Sequence, residues 1–213
     1  MNSSDFRERL LARSDRASLT LVPKVVDALE AYYNLLTHWN KRINLTSLPL
    51  EPVTERSLER LIVEPLIAAA YVEDRPFKWF DLGSGGGSPA IPLKIARPRT
   101  RLTLVESRSR KASFLRDVVR ELQLTDVDVI ADRFESLVTD PKQPTAELVT
   151  ARAVRFDGGM LSTATNLLVP GGQLLFFGTD ATLPSDSRLV MKYTLNLHAD
   201  GTSKLFVFAK PGA

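Results

Sequence analysis

A glycine-rich segment directly follows an acidic residue near the middle of the chain. Residues 81–89 have the sequence DLGSGGGSP, which holds four of the 11 glycines and comes after the apolar run FKWF at 77–80. Glycine tolerates positive φ and lets the backbone approach a bound molecule closely, because it has no Cβ. The free N–H groups of a following helix would point to the same place. The segment therefore predicts the floor of a cofactor site at the end of a strand.

A second acidic residue lies at the end of the next apolar run. Residues 102–105 are LTLV, and Glu106 follows them, 23 residues after Gly83. A carboxylate at the tip of the neighbouring strand is placed to accept hydrogen bonds from both hydroxyls of a ribose. Glu106 and the glycine segment together predict a cofactor that contains a nucleoside.

The elements that must position these residues alternate along the chain. Apolar runs predict strands at 77–82, 101–106, 126–130 and 146–151, and helical periodicity predicts helices at 90–97, 108–122, 133–138 and 156–168. Such alternation produces a parallel sheet, because each crossover carries a helix. Near the end, an alternating run at 191–198, the hairpin signal Asp200-Gly201 and the apolar run 205–209 predict an antiparallel hairpin whose last strand lies inside the sheet.

Two classes of cofactor fit the glycine segment. Residues 85–90 satisfy the dinucleotide pattern G-x-G-x-x-A, and residues 81–87 satisfy the S-adenosylmethionine pattern acid-x-Gly-x-Gly-x-Gly. A dinucleotide loop begins directly at the strand end, whereas Asp81 and Gly83 come first here. An aspartate suits a zwitterionic amino acid and a sulfonium better than a pyrophosphate, and the closing hairpin is typical of methyltransferases. We therefore predict an α/β, Rossmann-like class I S-adenosylmethionine-dependent methyltransferase fold, with a nicotinamide-dependent oxidoreductase as the alternative.

The first third of the chain has a different pattern. Residues 1–71 are predicted to be mainly helical, with a broad apolar stripe at 21–40 and an interruption at Pro65 within the second helical stretch, 51–71. We divide the chain into an N-terminal helical extension, residues 1–72, and a cofactor-binding methyltransferase domain, residues 73–213.

Composition excludes several kinds of chemistry. The chain has 213 residues, no cysteine and two well-separated histidines, which excludes disulfides and thiolate catalysis and leaves a metal site without support. No apolar run reaches the ~20 residues of a membrane span, and the N-terminus lacks the apolar core of a signal peptide, so we expect a cytoplasmic protein. Residues 97–120 hold eight basic side chains against two acidic ones. Such a run is that of a solvated helix face or of an RNA-binding surface, and its position beside the glycine segment favours RNA.

Several segments, in order, resemble a known family. They are NKRINLT at 40–46, DLGSGGGSPAIPL at 81–93, Glu106-Ser107 followed by Arg110-Lys111, Arg133-Phe134-Glu135 and Ala151-Arg152-Ala153. This series resembles the small-subunit ribosomal RNA guanine-N7 methyltransferases, also called glucose-inhibited division protein B. The resemblance implies methyl transfer from S-adenosylmethionine to guanine N7. That atom carries a lone pair and no proton, so no general base is needed.

The resemblance also implies roles for individual residues. Gly83 and Ser88 would border the methionine part of the cofactor, Phe134 and Glu135 the adenine, and Arg152 the junction of cofactor and substrate, where it is the predicted catalytic residue. With the glycine segment and Glu106, the predicted cofactor-binding set is Asp81, Gly83, Gly85, Gly87, Ser88, Glu106, Phe134, Glu135 and Arg152. RNA would be contacted at the rim by Asn44, Arg60 and Arg155. The expected partner is small-subunit ribosomal RNA or the ribosomal subunit, bound by a monomer.

The substrate side departs from the family pattern. Where the family has R-H-x-x-D-S, residues 60–65 are RLIVEP, and Phe177-Gly178 replaces the usual Lys-Gly. Only nine residues, 179–187, lead to the closing hairpin, so the helix expected there is predicted to be missing or very short. A methyltransferase for a small molecule or another RNA, and a non-catalytic RNA-binding protein, remain alternatives.

Overall fold

The computed structural model describes residues 3–138, 146–185, 187–198 and 201–212. The helices in these ranges are α1 (Ser3–Arg16), α2 (Pro23–Asn40), α3 (Glu55–Leu58), α4 (Glu64–Ala69), α5 (Ala90–Ala96), α6 (Ser109–Glu121) and α7 (Gly158–Leu167). A π-helical turn, Glu59–Val63, joins α3 to α4, and a 3₁₀ turn spans Phe134–Val138. Within these ranges no helix has both the length and the apolarity that crossing a membrane requires.

Seven strands within the described ranges form one mixed sheet. They are β1 (Lys78–Leu82), β2 (Arg101–Val105), β3 (Val127–Ile130), β4 (Ala146–Arg152), β5 (Leu168–Gly178), β6 (Val190–Asn196) and β7 (Lys204–Ala209). Their spatial order is β3-β2-β1-β4-β5-β7-β6, with β1 to β5 parallel and β7 antiparallel to both of its neighbours. The parallel sheet and the insertion of the last strand, both predicted from the sequence, are confirmed. Asp200 of the predicted hairpin turn lies outside the described residues.

The two faces of the sheet are covered by different helices. On one face Phe6 of α1 and Leu29 and Leu36 of α2 are fully buried in an apolar cluster that includes Trp79 of β1. On the other face, residues of α7 form a second cluster with Phe80. Trp79 and Phe80 lie in different clusters because successive side chains of a strand point to opposite faces. The N-terminal helices therefore pack on the sheet itself, and the domain boundary at residue 72 stays a prediction.

The interruption expected at Pro65 takes the form of a π-helical turn. The N–H of Glu64 bonds to the carbonyl of Glu59, five residues back, rather than to the carbonyl of Arg60. Pro65 has no N–H and occupies the first turn of α4, where a missing donor is tolerated. The helix therefore continues past Pro65, and the hydrogen bond just before the proline spans five residues instead of four. Between β5 and β6 the described residues form no helix, as expected for so short a connection.

A buried polar chain links β1 to β4. Trp79 Nε1 donates to Thr150 Oγ1 at 2.9 Å, and Thr150 Oγ1 donates to Asp81 Oδ1 at 2.5 Å. All three side chains are buried. One hydroxyl therefore pairs with both an indole N–H and one oxygen of a carboxylate, each of which would be costly to leave unpaired in the core.

We predict that Thr150→Val lowers the free energy of unfolding by about 2–4 kcal/mol, because it leaves both partners without a hydrogen bond at nearly unchanged volume. Thr165→Val is the matched control: Thr165 is also buried, but its hydroxyl only bonds the carbonyl of Leu161 within α7. We expect a loss below about 1 kcal/mol there. Urea denaturation of both variants measures the difference, and equal losses would contradict the proposed role of Thr150.

Candidate functional site

A pocket of about 680 Å³ lies at the carboxyl ends of β1, β2 and β4. Ligands of open α/β sheets bind outside this edge, and the volume suits a cofactor-sized molecule. Its walls come from the glycine-rich segment 81–89, called the glycine loop below, from the ends of β2 and β4, and from the 3₁₀ turn. Two N-terminal segments complete them, namely the loop 45–48 and the stretch containing Arg56 and Arg60. Parts of the chain far apart in sequence thus converge on one cavity.

The glycine loop is held from two sides. The N–H groups of Gly83 and Ser84 both donate to the carbonyl of Val105, at 2.9 and 3.0 Å, which ties the loop to β2. Gly83 has φ of 72°, and a Cβ there would lie 2.5 Å from Val154 Cγ1. From the other side, Tyr32 Oη of α2 donates to the carbonyl of Gly86 at 2.6 Å. The loop conformation therefore requires glycine at position 83 and a helix from the N-terminal segment.

Glu106 joins the glycine loop to the start of α6. Its Oε2 accepts from the N–H of Gly85 and its Oε1 from the N–H of Arg108, both at 2.8 Å. The residue is only 6% exposed, yet it lines the pocket. Each carboxylate oxygen has a second lone pair, so Glu106 can still accept hydrogen bonds from ligand hydroxyls.

Asp81 lies beneath the loop rather than on the pocket wall. It is 1% exposed; its Oδ1 accepts from Thr150, and its Oδ2 has no partner among the described residues. Burial raises the pKa of Asp81 from 3.8 to about 6, against the opposing effect of the Thr150 hydrogen bond. Asp81 is thus a buried carboxyl group that titrates about one pH unit below neutrality.

Arg152 forms the opposite wall. Its Nη2 pairs with Glu64 Oε2 at 2.6 Å, and its Nη1 donates to the carbonyl of Arg60 and lies 3.4 Å from Ser88 Oγ. The guanidinium lies over the ring of Phe177, 4.5 Å from the centroid. Burial lowers the pKa of Arg152 to about 10, although the Glu64 carboxylate opposes the shift, so the group stays cationic at neutral pH.

The structure brings most of the predicted site residues to this pocket. The predicted residues on its wall are Arg60, Gly83, Gly85, Ser88, Glu106, Phe134, Glu135 and Arg152. Gly87 belongs to the loop but is buried rather than on the pocket wall, and a Cβ there would lie 2.8 Å from Ile91 Cγ1. Asn44 and Arg155 are exposed and adjoin lining residues without being part of the wall. The functional roles of all these residues stay predictions.

Sequence reasoning missed the contributions of Tyr32 and Glu64. Tyr32 belongs to the apolar stripe of α2, and its pattern is that of any packing residue. Glu64 stands out in the sequence only as a departure from the family pattern, and its partner is Arg152, 88 positions away. No local signal in the sequence connects such distant residues.

The basic run 97–120 does not form one surface. Arg97 Nε donates to the carbonyl of Val72 at 2.6 Å, and Arg99 contacts Asp74. Both arginines precede β2 in the sequence, so they lie at the amino ends of the parallel strands, away from the pocket. Arg108 and Lys111, after β2, line the pocket. Of the eight basic residues in the run, only Arg108 and Lys111 line the pocket.

Comparison with known proteins identifies the family. The family model described as rRNA small subunit methyltransferase G matches residues 26–183. The chain belongs to this family. Ribosomal RNA small subunit methyltransferase G of Xanthomonas oryzae pv. oryzae is 41% identical over 147 residues, which are 68% of this chain and 64% of that protein. The protein of the same name from Nitratidesulfovibrio vulgaris is 34% identical over 169 residues, 76% of this chain and 75% of the relative.

Solved structures support the methyltransferase fold. A putative methyltransferase, yhhF from Escherichia coli, aligns with a TM-score of 0.51 at 16% identity, covering 68% of this chain and 80% of that one. MtNAS, solved in complex with MTA and tNA, aligns with a TM-score of 0.59 at 12% identity, covering 86% and 72%. At such identities these likenesses establish the fold alone. The predicted class I methyltransferase fold is confirmed.

The residues of this member of the methyltransferase G family fit S-adenosylmethionine. Glu106 offers a carboxylate for ribose hydroxyls, and the glycine loop leaves an open backbone surface beside it, since a Cβ at Gly85 would meet nothing nearer than 3.7 Å. Asp81 lies beneath the loop and off the pocket wall, so its contact with the cofactor stays a prediction. Within the described ranges no group of three or more histidine, aspartate or glutamate side chains is arranged to hold a metal ion.

We predict that Asp81→Asn removes a pH dependence of stability. The folded-state pKa of about 6 exceeds the ordinary 3.8, so the folded protein retains a proton that the unfolded chain releases between pH 4 and 6. The contribution of Asp81 to the stability of the wild type should therefore fall as pH rises through this window, at up to about 1.4 kcal/mol per pH unit. The variant lacks this decline.

Urea denaturation of both proteins between pH 4 and 8 provides the measurement. The difference in unfolding free energy should shift in favour of Asp81→Asn as pH rises and level off above pH 6. A constant difference across the range would show that burial does not shift the pKa of this carboxyl.

Proposed function

We propose that the chain transfers a methyl group from S-adenosylmethionine to N7 of a guanine in small-subunit ribosomal RNA. The observation that carries the proposal is the pocket in which Glu106, the glycine loop and the cation of Arg152 meet. Membership of the methyltransferase G family supports ribosomal RNA as the substrate class.

In this proposal the cofactor lies along the carboxyl edge of the sheet. Glu106 binds the ribose hydroxyls, the backbone of Gly83 and Gly85 faces the amino-acid end, and Phe134 and Glu135 border the adenine. The cofactor, when bound, supplies a methyl group on a positively charged sulfur. The contribution of the protein is to fix its orientation and to exclude water.

Guanine N7 offers a lone pair and carries no proton, so the site has to position the base without deprotonating it. Arg152 is suited to this task because its side chain is only 9% exposed, cationic at neutral pH and held by several acceptors. We assign it a hydrogen bond to the target base or its phosphate. In the described part of the chain the pocket wall contains neither histidine nor cysteine, which agrees with chemistry that needs no general base.

The RNA would approach over the basic side of the pocket. Arg56, Arg60, Arg108, Lys111 and Arg133 all line it, and cations at a pocket mouth neutralise phosphates and release counterions. Asn44 and Arg155, exposed beside the wall, would extend this contact. We propose that a monomer acts in the cytoplasm on ribosomal RNA or the small subunit.

Glu106→Gln tests the cofactor assignment. Loss of the charge should weaken hydrogen bonds to the ribose by about 1.5–3 kcal/mol, which corresponds to an increase of roughly ten- to hundredfold in the Kd for S-adenosylhomocysteine. Calorimetry measures the Kd, and tritiated methyl incorporation into small ribosomal subunits that lack the modification measures activity. The matched control is Glu121→Gln, whose exposed carboxylate pairs with Arg120 on α6 and should change neither value.

Three results would contradict the proposal. Binding of NAD without S-adenosylhomocysteine would indicate the oxidoreductase alternative. Equal incorporation by wild type and Glu106→Gln would overturn the site assignment. Incorporation by neither the wild type nor the control would indicate a cofactor-binding protein with another purpose.

The salt dependence of RNA binding tests whether the basic residues that line the pocket contact phosphates. Replacing Arg108 and Lys111 with glutamine should reduce the slope of log K against log salt concentration by about one for each phosphate that these cations neutralise. Arg99→Gln is the control, because Arg99 lies at the other edge of the sheet. A methyltransferase for a small molecule would show neither the slope nor its reduction.

A further inference from the structure

The helix around Pro65 lacks the regular i+4 donors for two backbone carbonyls, those of Arg60 and Leu61. In the π-helical turn, the N–H of Glu64 bonds to Glu59 and so bypasses the carbonyl of Arg60. The next residue, Pro65, has no N–H to offer to the carbonyl of Arg60, five residues back, or to that of Leu61, four residues back. A buried carbonyl needs another donor in such a position.

Both donors come from the pocket wall. Arg152 Nη1 donates to the carbonyl of Arg60, and Ser88 Oγ donates to the carbonyl of Leu61 at 2.9 Å. Arg152 Nη1 and Ser88 Oγ themselves lie 3.4 Å apart. The irregular helix thus provides acceptors at the point where the glycine segment and the end of β4 meet.

Glu64, the residue before the proline, completes this arrangement. Its carboxylate is 1% exposed and contacts two arginines: Oε2 lies 2.6 Å from Arg152 Nη2, and Oε1 lies 3.5 Å from Arg60 Nη1. Arg60 Nη1 also donates to Ser203 Oγ at 2.6 Å. The same short stretch of helix therefore supplies the counter-charge and the carbonyl that together fix two edges of the Arg152 guanidinium.

We infer that Glu64 and the π-helical turn at Pro65 are a positioning device for Arg152, which they orient toward the substrate. This inference rests on the proposed function, in which Arg152 contacts the RNA. A guanidinium is planar and binds acceptors in a fixed fork, so a carboxylate on Nη2 and a carbonyl on Nη1 determine its plane. The ring of Phe177, 4.5 Å away, packs against its face.

Pro65→Ala is the first test. It restores an N–H that can bond the carbonyl of Arg60 or Leu61 and so competes with Arg152 or Ser88. Alanine favours a helix, so we expect the melting temperature to stay within about 3 °C of wild type. The turnover number for methyl transfer should fall on the order of tenfold while the Kd for S-adenosylhomocysteine changes less than about threefold, because misplacing a group at the reacting centre slows the reaction.

The matched control is Pro23→Ala. Pro23 also occupies the first turn of a helix, α2, where it is exposed and is not one of the residues that line the pocket. Pro23→Ala should retain the wild-type turnover number. If Pro65 had only a structural role, Pro65→Ala would retain the wild-type turnover number as well.

Glu64→Gln is the second test, and Glu59→Gln is its control. Glu59 lies in the π-helical turn and pairs with Arg13 and His198, not with Arg152. The Nε–Hε signals of the arginines in ¹⁵N NMR report side-chain order independently of activity, and Arg152→Lys identifies the Arg152 signal by its loss. We expect Glu64→Gln and Pro65→Ala to broaden or shift that signal, and Glu59→Gln to leave it unchanged.

The outcomes separate this inference from the proposed function. A changed Arg152 signal with slower turnover in both variants supports the positioning role. If the two variants change the Arg152 signal but the wild-type protein methylates no RNA, the positioning role is supported and the proposed function is overturned. Wild-type turnover and an unaltered signal in Pro65→Ala would overturn the inference.

Discussion

The buried charge of Arg152 is the constraint on which the arrangement of the molecule depends. Removing a guanidinium from water costs several kcal/mol unless a counter-charge and hydrogen-bond acceptors replace the solvent. None of the neighbouring strands supplies the carboxylate. It comes from Glu64, in the N-terminal helical segment, at 2.6 Å. The helices therefore have to be docked on the sheet before the cation at the end of β4 is stable.

The same docking shapes the cofactor floor. Tyr32 reaches from α2 to the carbonyl of Gly86, and Ser88 reaches back to the carbonyl of Leu61. The glycine loop is thus tied to the N-terminal helices at two points and to β2 through Glu106 and the carbonyl of Val105. A loop whose residues tolerate many conformations is held in one by contacts from elements on either side. The N-terminal helices are therefore part of the site, because they hold the glycine loop in place.

The sequence predicted what depends on local patterns. The strand expected at 77–82 is Lys78–Leu82, the helix expected at 108–122 is Ser109–Glu121, and the doubly apolar run 205–209 lies inside the sheet as β7. Long-range polar pairing could not be predicted in the same way. The partners Trp79 and Thr150, like Glu64 and Arg152, are joined only by the folded topology. The basic run 97–120 also looked uniform in sequence, yet β2 divides it between the two edges of the sheet.

The order of the strands has a consequence for synthesis of the protein. β7 lies between β5 and β6, so a nascent chain that has not yet delivered residues 204–209 exposes the hydrogen-bonding edge of β5 together with the apolar face that Phe206 and Phe208 later cover. Such an edge is a template for pairing with other chains. Closure of the sheet therefore waits until β7 has left the ribosome.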